Sequence, residues 1–387
     1  MAIFTSLQDG SWLTPRRVKH YPILIAIVAA IALPVMALLG PADRAPLGVD
    51  FVATWAAGHV ALAGGDAYDP EQLRPVEQAA IGGTKFYPYP YPPTYRLLTE
   101  WVGALPYHAG LILWEILGVA AFMGAMMGLT GGRGFWLTLA FPGLIVNVIN
   151  GQNGLWLASA LAFALAFLAR RSLPSGAMIG LLSVKPHLGL MIPFALGVGR
   201  YWRCFLAAAV TVVGLGALSI AFFGLDPWRS FFGTLEAYRT GLMQGDDPAI
   251  AKLVSPFAHV RRTGAGLAAA YGVQAIIALF ALGSVIKAWR SAAPLGIKQA
   301  VLVIAGLLAT PYLFDYDMAL LAPAIALATL VGLEQGFGPW EKTLLAFLWV
   351  LPGIARPIAV YTGLPIVPVG LALGLVILMS RGRHATR

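Results

Sequence analysis

One aspartate, one lysine and an Asp-x-Asp pair stand where an otherwise apolar chain tolerates charge only for a reason. In Gly48-Val49-Asp50-Phe51-Val52-Ala53-Thr54-Trp55 a carboxylate sits just past the first long apolar stretch. An ionisable group against a bilayer is costly unless it is paired or used. Lys185, in Lys185-Pro186-His187, interrupts a second apolar run, and Asp315-Tyr316-Asp317 opens a third. A carboxylate can take the proton of an attacking hydroxyl, and a lysine or histidine can neutralise a departing phosphate. Together these types suit transfer of a group from a phosphate-linked donor. Each also has a plainer reading: Asp50, Asp315 and Asp317 as helix caps, Lys185 as a snorkelling side chain, His187 as a packed or interfacial histidine. The run Phe86-Tyr-Pro-Tyr-Pro-Tyr-Pro-Pro93 suits a ligand-contacting strip or an interfacial aromatic belt on an extended linker. Asn150-Gly151-Gln152-Asn153 reads as a tight turn between spans whose amides can line the same cavity.

The elements that must position these groups are membrane helices. Of 387 residues 59% are hydrophobic and 11% charged, far from the roughly 25% charge of soluble domains. Apolar stretches recur end to end with no long polar block, so one membrane-embedded domain over 1–387 is expected. Spans are read near 22–40, 106–129, 134–149, 152–169, 204–224, 263–286, 297–313, 316–333, 342–356 and 363–380, the first taken as uncleaved because no small-residue cleavage site follows it. Residues 93–105 are too short to span and carry Arg96 and Glu100 at a spacing that pairs them on one helix face, which suggests an interfacial helix. Residues 175–198 break at Lys185-Pro186 into halves that each reach about 15 Å, half a bilayer. Arg170 and Arg171 flank one end and Arg200 and Arg203 the other, so a V-shaped re-entrant pair with Lys185 at its apex is expected.

With the N-terminus inside, the cytoplasmic segments collect 15 of the 26 Lys and Arg but only Asp9, Glu334 and Glu341 of the 17 acids, in keeping with the positive-inside rule. This places the outer loops at 41–92 and 225–262, the second carrying Asp226, Trp228, Asp246 and Asp247, and gathers Asp50, residues 86–93, Lys185 and Asp315 to Asp317 on the outer face. The net charge of +9 is therefore topological, with basic residues at span ends rather than on a nucleic-acid-binding stripe. Lone Cys204 excludes an internal disulfide and argues against a multi-cysteine metal site. Gly131-Gly132-Arg133-Gly134 lacks phosphate-loop spacing, so no cofactor is expected. Glu115 lies about nine residues into a span, where it must be paired, protonated or facing a cavity. The rival reading is a lipid-linked-sugar flippase or small-solute transporter, which should show broken helices in matched halves. No such repeat is visible.

At these residues the chain resembles glycosyltransferase family 87, polyprenol-phosphate-sugar-dependent membrane transferases of the GT-C superfold that include phosphatidylinositol mannoside mannosyltransferases. The resemblance rests on Val49-Asp50-Phe51 with Trp55-Ala-Ala-Gly58, Leu62-Ala-Gly-Gly-Asp66-Ala-Tyr68-Asp-Pro70, Tyr91-Pro-Pro93, Asn150-Gly-Gln152-Asn153, Gly180-Leu181 through Lys185-Pro186, and Tyr201-Trp-Arg203. It implies an all-α GT-C-like bundle of about ten to twelve transmembrane helices. It further implies inverting transfer of one sugar from a polyprenyl-phosphate donor to a lipid or glycan hydroxyl at the outer face of a bacterial inner membrane. Asp50 would be the base, and Lys185 with His187 would hold the donor phosphate. Trp55, Asp66, Tyr68, Tyr91, Gln152, Asn153, Asp315 and Asp317 would line the substrate cavity. Where many relatives carry Ser-Pro-x-x-Trp-x-His, this chain has Thr310-Pro-Tyr-Leu-Phe-Asp-Tyr-Asp317, an aspartate in place of the histidine.

Overall fold

A computed structural model describes residues 2–39, 46–244 and 251–381. Asp246 and Asp247 therefore lie outside the described residues. The chain opens with α1 (Ala2–Asp9) and α2 (Pro15–Leu39), and α3 (Phe51–Leu62), α4 (Pro70–Ile81) and α5 (Pro93–Thr99) follow. Next come α6 (Tyr107–Thr130), α7 (Phe135–Leu139), α8 (Pro142–Asn150), α9 (Gly154–Phe167), α10 (Ser172–Leu181), α11 (Ile192–Val198) and α12 (Trp202–Phe223). The remainder is α13 (Asp226–Gln244), α14 (Pro256–Arg262), α15 (Leu267–Arg290), α16 (Leu295–Ala309), α17 (Leu321–Gln335), α18 (Glu341–Thr362) and α19 (Ile366–Ser380). The described residues form no extended strand, only an isolated bridge between Leu253 and Phe314. This is an all-α polytopic membrane protein.

Among the described residues six helical segments are long and apolar enough to cross a bilayer: Pro15–Met36, Tyr107–Thr130, Trp202–Phe223, Leu267–Arg290, Asp315–Gln335 and Glu341–Thr362. Several of the expected spans are shorter. The stretch expected at 134–149 divides at Pro142, which starts α8 afresh because its ring and missing N–H cannot continue α7. α9, α16 and α19 have 14 or 15 residues, about 22 Å at 1.5 Å per residue against a core of about 30 Å. The two expected outer loops also carry helices, α3 and α4 in one, α13 and α14 in the other.

Burial sorts the bundle. α9, α16 and α17 are buried along most of their length, whereas α2, α12 and α15 turn Ile31, Val213, Phe222, Ile276 and Leu279 outward. Such apolar faces belong against lipid, where a helix satisfies its own backbone.

The break at Lys185-Pro186 is a reversal. The backbone at Gly176 lies against Cys204 and Ala207, and that at Gly180 against Ala208 and Thr211. The two contact rows advance in the same direction, so α10 and α12 run parallel, and the chain must turn back between them. Lys185 ends a 3-10 turn (Leu182–Val184) at φ −132°, ψ 74°, and Pro186 begins another. The parallel contact is as tight as small residues allow, since a Cβ on Gly176 would stand 2.3 Å from the Cys204 carbonyl oxygen. In a Cys204→Ala background, single cysteines at exposed Leu173 and Arg203 should react with an impermeant thiol reagent from the same side of the membrane. Labelling from opposite sides would abolish the hairpin.

Candidate active site

Asp50 is placed by two turns stitched together. Gly48 N–H donates to Ile149 O at 2.9 Å and Asp50 N–H to Asn150 O at 3.0 Å, which docks the start of α3 on the end of α8. Gly151 makes this approach possible: its φ is +73°, and a Cβ would lie 2.3 Å from the Gly48 carbonyl oxygen, so a side chain is excluded by both conformation and space. Asp50 occupies the cap position of α3 but makes no side-chain cap bond. Its carboxylate instead accepts Lys252 Nζ on both oxygens, at 2.8 and 2.6 Å, and Gln152 Nε2 on Oδ2 at 3.2 Å. Tyr91 Oη in turn donates to Gln152 Oε1 at 2.9 Å.

Lys185 and Asp317 form a second, deeper pair. Nζ donates to Asp317 Oδ1 at 2.8 Å, with side-chain exposures of 7% and 0%. The ammonium lies 4.8 Å from the Tyr316 ring centroid and 5.8 Å from that of Tyr91, so Tyr91 borders both pairs. Asp317 Oδ2 has no hydrogen-bond partner among the described residues. A third pair joins Arg356 Nε to Asp315 Oδ2 at 2.5 Å, and Arg356 Nη2 donates to Asn150 Oδ1 at 3.1 Å. The end of α8 and the turn after it link all three, through Gln152 to Asp50, through Asn150 to Arg356, and through Asn147 Nδ2 to the Tyr316 carbonyl at 3.3 Å. Three acids and three bases thus converge on one turn, a locally neutral cluster poised around a carboxylate.

Lys252 had no local signal, because it stands 202 residues from its partner in a loop with no recognisable motif. Its backbone is held firmly. Val254 N–H donates to Leu313 O at 2.8 Å, Ser255 Oγ to Pro311 O at 2.6 Å, and Arg262 Nη2 to Leu253 O at 2.6 Å and Ala251 O at 3.5 Å. The segment bearing Lys252 is therefore stapled to the one that leads into Asp315 and Asp317.

The remaining expected residues are placed around this cluster. His187 is half-buried next to the apex, its ring 6.2 Å from that of Tyr312, with no hydrogen-bond partner for Nε2 among the described residues. Asn153 is buried within reach of Tyr95. Trp55 Nε1 donates to Leu105 O at 2.8 Å, Asp66 accepts from Ser230 Oγ at 2.7 Å, and Tyr68 Oη donates to Tyr91 O at 2.9 Å. Those three spend their polar groups on the scaffold, Tyr68 by fixing the strip that carries Tyr91. Arg96 and Glu100 pair at 2.5 Å on α5 and the short turn after it. Glu115 Oε1 is buried in α6 without a hydrogen-bond partner among the described residues. Among the described residues no three His, Cys, Asp or Glu side chains gather as a metal site.

The aromatic strip is anchored from α4 by Glu77, whose Oε2 accepts the Tyr87 N–H at 2.9 Å. Burial pushes this carboxyl from its ordinary 4.5 up to about 8. Between those values the folded protein binds more protons than the unfolded chain, so stability falls as pH rises through that window and is flat above it. The loss is on the order of a few kcal/mol. Glu77→Gln mimics the protonated form, keeps the acceptor for Tyr87, and should remove most of the slope in melting temperature between pH 5 and about 8. An unchanged slope would assign it to other groups.

A model for glycosyltransferase family 87 matches residues 89–311. The match spans Tyr91, Gln152, Asn153, Lys185, His187 and Lys252, while Asp50, Asp315 and Asp317 lie outside it. Neither a curated protein nor a solved structure matches the chain.

Proposed function

The chain belongs to glycosyltransferase family 87, and from that premise we propose that it transfers a single sugar from a polyprenyl-phosphate-linked donor to a lipid or glycan hydroxyl, with inversion. The observation that carries this reading is the Asp50 carboxylate, bonded to Lys252 and through Gln152 to Tyr91, whose ring also borders Lys185. Asp50 takes the acceptor proton as the new bond forms between the acceptor oxygen and the anomeric carbon. The bond from that carbon to the phosphate oxygen breaks, and its electron pair leaves with the phosphate. Lys185, with His187 beside it, faces the charge that grows on the leaving group. That charge is what a preorganised cation stabilises most. Mannose is the sugar the family resemblance favours.

The excess of Lys and Arg on the segments read as cytoplasmic supports a multi-pass arrangement in a bacterial inner membrane, with the N-terminus inside and the site at the outer face. The deciding experiment supplies the purified protein with a radiolabelled sugar on a short-chain polyprenyl phosphate or on a nucleotide. Incorporation into extracted glycolipid from the lipid donor is expected, and incorporation from the nucleotide alone would overturn the assignment.

A further inference from the structure

Lys252 blocks the group that the proposed chemistry needs free. It donates to both oxygens of Asp50, and Gln152 donates to one of them again. About three of the four acceptor positions of the carboxylate are therefore filled, while an acceptor hydroxyl must hydrogen-bond to the same oxygens before its proton can move. Yet Lys252 is less enclosed than Lys185. Its side chain is 17% exposed against 7% for Lys185, and it has a third N–H and four rotatable carbons with which to reach another anion. Only its backbone is fixed, by Arg262 and by the pairing with Leu313.

We propose that Lys252 is a transferable counter-ion: it pairs with Asp50 until the phosphate of the donor takes it over, so that the base is released only when the donor is in place. The inference rests on Asp50 being the base and on a phosphate-linked donor. The electrostatics drive the exchange in one direction. A sugar-phosphate diester carries one negative charge, which grows on the phosphate as the sugar departs, while Asp50 loses its charge as it accepts the acceptor proton. Both changes pull the ammonium from the carboxylate to the phosphate, so its interaction with the donor is strongest in the transition state, where it accelerates transfer. A compact ammonium suits this role better than a planar guanidinium, which would clamp the carboxylate in a two-pronged geometry. Asp315 also lies within range of the Lys252 charge, but Arg356 already holds it, which leaves Asp50 as the partner to be exchanged.

The exchange makes an unusual prediction: removing the base should improve phosphate binding. In wild type the phosphate must compete with Asp50 for the lysine, which lowers its apparent affinity by the fraction of protein with the lysine free. Binding of a short-chain polyprenyl monophosphate and of inorganic phosphate is measured by calorimetry on purified wild type, Asp50→Asn, Lys252→Met and the double variant, each checked for an intact melting transition. Asp50→Asn should bind the lipid phosphate about tenfold more tightly, Lys252→Met more weakly than wild type, and the gain from Asp50→Asn should vanish in the Lys252→Met background. If inorganic phosphate repeats the pattern, the phosphate itself is what the lysine recognises, and if only the lipid form does, the chain delivers it. Either result upholds the exchange. No tightening in Asp50→Asn, or tightening that persists without Lys252, would overturn it, because simple repulsion between carboxylate and phosphate would then suffice. Should Lys252→Met fail to fold, Lys252→Gln replaces it in the same cycle. Transfer activity is read separately, since an active Asp50→Asn would remove the base assignment and leave the binding result to stand or fall by itself.

Discussion

Asp50→Asn should lower transfer by about 10²- to 10⁴-fold while leaving the fold intact. Asparagine has the same shape and can still accept from Lys252 and donate or accept at Gln152, so the junction between the start of α3 and the end of α8 is kept by its backbone bonds. The lysine that loses half its ion pair is partly exposed and can reach water, so the cost to stability should lie between that of an exposed and that of a buried pair, about 1 to 3 kcal/mol. What the amide cannot do is take a proton from a hydroxyl at neutral pH. The check is initial rate with saturating donor and acceptor, beside a melting curve. A variant within about threefold of wild type, far short of a general-base loss, would take the base away from Asp50. A variant that fails to fold would mean that the carboxylate holds the α3–α8 junction.

Much of this site can be read from local sequence, and the rest cannot for a physical reason. Asp50 stands out because its neighbours are apolar, and a lone carboxylate among them has few explanations. The reversal at Lys185 is legible because proline breaks a helix and both flanks are basic, two independent constraints that meet at one place. Lys252 is different. Its neighbours describe an ordinary loop, and its importance comes from a contact with a residue 202 positions away, which no local pattern encodes. The same limit applies to the aspartates at 315 and 317. As isolated residues they suit helix caps, and Asp315 Oδ1 does accept the Tyr316 N–H at 2.8 Å, yet their charges also meet Arg356 and Lys185. Span lengths blur in the sequence for a related reason. Hydropathy averages over about nineteen residues, so Pro142 vanished into an apolar window although it divides α7 from α8.

Lys185→Gln should lower both stability and turnover, and a second substitution separates the two. The lysine donates to Asp317 Oδ1, and both side chains are buried. Removing it leaves an uncompensated carboxylate in the interior, which costs about 3 to 5 kcal/mol. A dead Lys185→Gln protein would therefore say little about chemistry. Lys185→Gln combined with Asp317→Asn removes both charges and keeps two amides that can hydrogen-bond to each other, so stability should return to within about 1 to 2 kcal/mol of wild type, as exchanging a buried ion pair for a neutral one of similar volume usually permits. Turnover should not return with it. If Lys185 faces the donor phosphate, the double variant still lacks the cation that the leaving group needs, and kcat/KM for the donor should remain about 10²-fold down, the scale of one lost preorganised electrostatic contact. KM for the acceptor should barely change. The measurement is donor and acceptor kinetics on the double variant at a temperature where its melting curve shows it folded. Full activity there would make Lys185 and Asp317 a structural pair and move the leaving-group cation to Lys252 or Arg356, both of which border the same turn.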